Sequence, residues 1–372
     1  MMKTVSMADL HGRTFKMKAV SLAEQRIVMA TFSIRDVAER AGVSRATVSR
    51  VLNGTDALVA APTRERVLTV VRELEYHPRA VARGLAGKPM NTLGVILAYI
   101  LPSVTSDPFL GPVLDGILAM NKRKRQKTVI FTENDWDEAM NHLPTYCDGH
   151  CDGLILVIPS LTSKIVQALK RKPVPFVVVG ENREDPDLTV IDIDNVEMAY
   201  SAVRYLTEQG HRRIAILCGN QELTSSSQRL EGYRRALAEA NIACDETLVM
   251  PGQYWEWSGH ENAELLMRLP ATERPTALFC SNGRIALGAL RALEAMNVRV
   301  PQDVSVTAIS ETTEISTALL PLTAAQTPLR QLGEHAVEML LAQIHNGATA
   351  GTKTLLPGEL VVRESVASLM AP

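Results

Sequence analysis

Cysteine is scarce in this sequence, with five thiols in 372 residues, Cys147, Cys151, Cys218, Cys244 and Cys280. An odd count without a paired framework excludes a disulfide scaffold and fits the reduced thiols of a cytoplasmic protein. Long hydrophobic runs are missing too: none approaches the roughly 18 apolar residues of a membrane span. The first residues lack an apolar segment closed by a small-residue cleavage site, so export is not expected. Nucleophile elbow, P-loop and dinucleotide fingerprint are all absent, so the sequence points to neither an enzyme nor a bound cofactor. There is no short-period repeat. Cys147 and Cys151, with His142 and His150 nearby, superficially suggest zinc. They fall where a helix gives way to a strand at 153–158, so Cys151 reads as a core residue and no metal is expected.

What is present is an ordinary globular composition, 46% apolar and 22% charged, with an uneven charge distribution. The net charge of −2 divides into +3 over residues 1–28, +4 over 29–90 and −9 over 91–372. A small basic end on an acidic body suits contact of that end alone with a polyanion, although chance explains such an excess equally well. Nine of the ten cations in 29–90 are arginine, the side chain suited to bidentate contact with phosphate or guanine. The run 122–127 is also basic, but it ends an amphipathic helix, where cations favour the dipole.

Residues 1–28 show no sustained period and are expected to be a disordered leader or to precede a true start at Met29. From 33 to 86 the pattern is short helices with polar turns. Ile34, Val37, Ala38 and Ala41 share one helical face, Gly42 breaks the helix, and Ser44 is a natural N-cap for a second. That second helix turns Val48, Val51 and Leu52 inward and Arg45, Ala46, Ser49 and Arg50 outward. A third carries Val67, Val70, Val71 and Leu74, with Pro62 in its first turn; Tyr76 and Pro78 end it. From Thr92 onward, apolar runs at 93–99, 154–158, 176–179, 214–218, 277–280 and 304–309 alternate with amphipathic helices at 195–209, 228–240, 284–296 and 329–344. Continuous apolar strands with crossover helices predict an α/β fold of doubly wound parallel sheets, divided into two lobes.

Helix, glycine turn, helix is the spacing of a helix-turn-helix, whose second helix can enter the major groove. Arg45 and Arg50 suit guanine O6 and N7, Ala46 a thymine methyl, and Thr47 and Ser49 the phosphates. The generic pattern fits a small helical bundle with solvated arginines equally well.

The specific residues go further. Residues 34–53, read IRDVAERAGVSRATVSRVLN, closely resemble the DNA-binding module of the LacI/GalR family. Residues 75–88, read EYHPRAVARGLAGK, resemble that family's hinge helix. The resemblance continues through Asp194 and Asn195, residues 210–213 and 229–233, 286–289, and Val300 with Pro301. It implies a helix-turn-helix domain at 29–77, a hinge at 78–90 and a two-lobed, periplasmic-binding-protein-like core at 91–372. It also implies a cytoplasmic homodimer that binds double-stranded, near-palindromic operator DNA as a repressor. The implied DNA-binding set is Ser44, Arg45, Ala46, Thr47, Ser49, Arg50, Asn53, Tyr76, Arg79, Ala82 and Leu85. Leu85 would wedge into the central minor groove, the unstacking cost being offset by the extra surface that bent DNA lays against the protein. Gly84 weakens the hinge as a helix, so folding only on DNA is expected. The tail at 367–372 lacks leucine heptads, which suits a dimer rather than a coiled-coil tetramer.

The resemblance places an effector cleft between the lobes, with the N-terminal lobe at 91–190 plus 327–348 and the C-terminal lobe at 191–323 plus 350–370. Its implied lining is Asp107, Phe109, Arg229, Tyr254, Trp255, Asn282 and Ser310. Arg229 is expected to open a helix and hold hydroxyls or a carboxylate, Tyr254 and Trp255 to offer a flat face, and Asn282 to donate and accept. Two departures from the family stand out. Gly283 and Ser310 occupy positions where it commonly has aspartate, which removes strong acceptors for sugar hydroxyls. A sugar, a nucleoside or a carboxylate all fit this lining. The competing readings are a solute-binding module and a regulator with a degenerate cleft that answers to a protein partner.

Overall fold

The computed structural model describes residues 4–8, 14–18, 32–52, 59–76, 89–98, 104, 107–310, 320–347 and 351–370. They divide into two compact units, one up to Ala86 and one from Gly87. The expected leader is corrected in one respect. Strands β1 (Thr4–Ala8) and β2 (Thr14–Lys18) pair antiparallel, with Val5 opposite Met17 and Met7 opposite Phe15. Alternation over five residues a strand is too short to stand out as a period, and its match lies in the partner strand.

Three helices follow, Ile34–Ala41, Arg45–Leu52 and Ala61–Glu73. Ser33 starts the first through a capping box in which its hydroxyl accepts from the Asp36 amide, while Asp36 accepts from the Ser33 amide. Gly42 ends it at φ 63°, a left-handed position that glycine adopts without strain. Ser44 caps the second helix by accepting from the Thr47 amide at 3.1 Å. Ala60 supplies no side-chain cap to the third, but Pro62 pre-sets its first turn. The apolar faces meet in one core of Val37, Ala38, Ala41, Val48, Val51, Val67, Val70, Leu74 and Tyr76. Val37, Val48 and Val67 are fully buried there, each contributing about 1.5–3 kcal/mol.

The second unit holds two six-stranded sheets. The first runs β13-β7-β6-β5-β3-β4, with β3 at Thr92–Ala98, β4 at Lys127–Glu133, β5 at Gly153–Val157, β6 at Phe176–Val179, β7 at Val190–Ile193 and β13 at Lys353–Leu356. All its pairings are parallel. The second runs β14-β12-β11-β10-β8-β9, with β8 at Ile214–Leu217, β9 at Val249–Met250, β10 at Ala277–Cys280, β11 at Ser305–Ser310, β12 at Thr323–Gln326 and β14 at Glu359–Val361. Only the β12–β14 pair is antiparallel. Inner strands β5, β7, β8 and β10 are buried along their whole length, because helices cover both faces. Cys151 lies in the first lobe's core, 6% exposed.

The lobe boundaries differ from expectation. Helix Leu329–Asn346 packs on helix Leu110–Arg123 and on β5, β6 and β7, as expected for the N-terminal lobe. However, β7 also belongs to that lobe, and so does β13, which pairs Lys353 with Val190. The chain therefore changes lobes three times, at 193–195, 326–329 and 356–359. A four-residue strand with alternating exposure carries no local signal of the sheet edge it joins, which is why β13 is misassigned by pattern alone.

Candidate nucleic-acid interface and ligand cleft

The second helix of the first unit presents Ser44, Arg45, Ala46 and Arg50 exposed, with Thr47 and Ser49 half-buried beside them. The charges around it sort themselves. Arg35 pairs with Glu39, Arg40 with Glu73 and Arg72 with Glu65, while Arg66 donates to the Ala41 carbonyl at 2.9 Å. Arg45 and Arg50 pair with no other described residue. Two uncompensated guanidiniums on one exposed helical face form the anion-seeking edge of the unit. The Ser44 and Thr47 hydroxyls bond each other at 2.9 Å. Tyr76 is only 6% exposed and packs in the three-helix core. Its neighbours along the chain carry none of the short-period pattern that would have shown it turning inward. Asn53, Arg79, Ala82 and Leu85 lie outside the described residues.

The second unit contains a cavity of about 200 Å³ between its lobes. Six of the seven expected residues line it: Asp107, Phe109, Arg229, Tyr254, Trp255 and Asn282. Ser310 ends β11, and its side chain is outside the described set. Several side chains are already engaged. Asp107 Oδ1 accepts from the Phe109 and Leu110 amides, at 3.0 and 2.8 Å, fixing the start of helix Leu110–Arg123. Asn282 Oδ1 accepts from the Ile285 amide at 2.8 Å and caps helix Gly283–Ala295, while its Nδ2 donates to the Tyr254 carbonyl at 3.3 Å. Its donor and acceptor thus hold the protein together at the cleft wall.

Arg229 does not open its helix, which spans Thr224–Glu239; it lies in the second turn, 4% exposed. Its Nε donates to Asn195 Oδ1 at 2.9 Å and its Nη1 to the Ser281 carbonyl at 2.5 Å. The expected flat aromatic face is largely taken. Arg229 lies over the Tyr254 ring at 5.5 Å, and that ring fills the space beside Gly219, where a Cβ would sit 2.1 Å from its Cζ. Arg284 lies over Trp255 at 4.8 Å. The two aromatics therefore seat two cations.

Three groups in or beside the cavity were missed by sequence reasoning. Asp192 is 2% exposed and accepts from Asn182 Nδ2 at 3.0 Å, Asn195 Nδ2 at 3.3 Å and the Ile193 amide at 2.8 Å. Burial pushes its carboxyl up to about 7, against the pull of those bonds and of Arg229. The visible signal was a carboxylate inside the apolar run of β7. Arg284 forms an ion pair with Asp107 Oδ2 at 3.2 Å, joining the two lobes across the cavity mouth. Asn195 bonds Asp192, Arg229 and Gln228, and sits where the chain first changes lobes. A backbone bond from Leu161 to the Glu222 carbonyl, at 3.1 Å, also joins the lobes.

Comparison with known proteins accounts for both units. Residues 33–79 match the model for bacterial regulatory proteins of the lacI family, and residues 203–366 match a periplasmic binding protein-like domain. The HTH-type transcriptional repressor PurR of Haemophilus influenzae (strain PittEE) is 32% identical over 92% of this chain and 100% of its own length. The HTH-type transcriptional regulator CelR of Thermobifida fusca is 34% identical over 88% of this chain and 96% of its own. The chain belongs to the LacI family. Among solved structures, a lac repressor dimer bound to operator and the anti-inducer ONPF superposes with a TM-score of 0.76 at 28% identity, covering 91% of this chain and 99% of that one. A CelR–cellobiose complex gives 0.70 at 31%, covering 90% and 99%. This LacI-family chain is a DNA-binding transcriptional regulator with an effector-binding domain, not an enzyme. Among the described residues no helix is long and apolar enough to cross a membrane.

Proposed function

We propose that this regulator acts in the cytoplasm as a homodimeric repressor on a near-palindromic operator, and that a small effector in the interlobe cavity sets its DNA affinity. The observation carrying the DNA half is that Arg45 and Arg50, which pair with no other described residue, lie on the exposed face of a helix whose start is held by Ser44. Neighbouring arginines are neutralised within the unit, so these two remain to meet guanine edges. Leu85 would bend the duplex from the hinge. The cleft half is supported by a cavity with buried polar groups at the point where the chain changes lobes.

The test is operator retention in a gel shift with the full chain, on a sequence selected from a random pool. Binding should weaken steeply with salt. Arg50→Ala should cost about 1–3 kcal/mol on the selected operator and relax sequence preference at one position per half-site. Equal losses on selected and random DNA would remove Arg50 from base reading. A solute-binding module would retain no operator at all.

A further inference from the structure

We infer that the cavity takes a small polyhydroxy carboxylate, with Arg284 as the residue that selects the acid over the neutral sugar. This rests on the cleft being the effector site. The argument starts from the charges. The cavity is lined by two arginines and two aspartates, and both aspartates already accept bonds from amide donors of the protein. Arg229 spends its Nε and Nη1 on an amide oxygen and a backbone carbonyl, both neutral. Among the described residues no carboxylate is hydrogen-bonded to this buried guanidinium.

Arg284 is the more available of the two. Its approach to Asp107, Nη2 to Oδ2, is 3.2 Å, longer than the roughly 2.7–2.9 Å typical of a charge-assisted bond. Asp107 is meanwhile occupied at Oδ1 by two backbone amides, so it cannot turn both oxygens to the guanidinium. The planar fork is thus held by stacking on Trp255 and lacks a bidentate partner. A ligand carboxylate supplies that partner. The remaining polar lining, Asn220, Ser225 and Gln253, suits hydroxyls.

The cavity measures about 200 Å³, at the small end for a ligand pocket.

The experiment titrates the full chain, followed by tryptophan fluorescence and thermal shift, with gluconate, 2-ketogluconate, galacturonate, glucose, galactose and glucose 6-phosphate. At least one acid should bind at least tenfold more tightly than its neutral counterpart. Arg284→Gln should weaken that acid at least tenfold and leave neutral-sugar affinity within twofold. Asp107→Asn, which keeps the helix cap but removes the competing charge, should tighten acid binding. It guards against a trivial folding defect in Arg284→Gln. Preference for glucose 6-phosphate, equal binding of acid and sugar, or an Arg284→Gln variant that binds the acid normally would each overturn the assignment. If neutral sugars bind best and alter operator retention, the effector-cleft reading stands and the acid inference falls. If none of the six binds while operator retention persists, the cleft inference falls and the DNA-binding reading is untouched.

Discussion

Asp192 and Arg50 are both single charged residues, yet one is hidden in the sequence and the other is plain. Arg50 owes its exposure to helical spacing from Val48 and Val51, which turn the opposite face inward, and that relation is local. Asp192 owes its state to burial and to side chains beyond its own strand: Glu181, Asn182 and, 37 residues on, Arg229 act on it, besides the nearby Asn195. Its folded carboxyl holds a proton up to about pH 7, against 3.8 when exposed. Between those values the native state binds more protons than the unfolded one, so this group's contribution to stability falls as pH rises and levels off above about 7. Asp192→Asn removes the titration. The variant's melting temperature should gain on the parent's as pH is raised from 5 to 8; parallel curves would show that Asp192 does not titrate in this window. His211 works in the opposite sense. Burial lowers its pKa against the opposing bond to the Ala367 carbonyl, so its contribution is present above the ordinary value of 6.5 and is lost as pH falls below it.

Elements are legible wherever their ends carry chemistry. Gly42, Ser44 and Pro62 mark boundaries of the three-helix unit, and the structure uses each of them. Gly42→Ala tests this directly. No atom lies within 4 Å of an added Cβ, so only the left-handed backbone resists. The variant should lose about 1 kcal/mol in urea unfolding of the first unit; no loss would mean the turn relaxes to another conformation. The apolar pattern starts the helix around Arg229 near 228, but it begins at Thr224. Thr224 and three serines read locally as a loop, because their side chains compete for backbone bonds. In the fold, Ser226 is buried and donates to the Gly219 carbonyl at 3.1 Å, which ties this turn to the end of β8. Tertiary contact outweighs weak propensity there.

At the scale of the whole molecule, the chain is two compact units, the larger built of two lobes stitched by three crossings. Asn195 stands at the first crossing with partners in both lobes. Asn195→Ala would leave the buried Arg229 Nε without its acceptor, at about 1–3 kcal/mol. Calorimetry should show the unfolding transition of the larger unit lowered and that of residues 33–76 unchanged. A common downward shift of both would mean that the units unfold together. The family, the α/β class and the helix-turn-helix could be read from residue order, because capping, helical faces and strand runs are relations among near neighbours. Lobe membership of β13, the inward turn of Tyr76, the two arginine–aromatic stacks and the Asp107–Arg284 bridge could not. Each depends on which distant segments pack together, and the burial that sets the chemistry of the cleft exists only once they have.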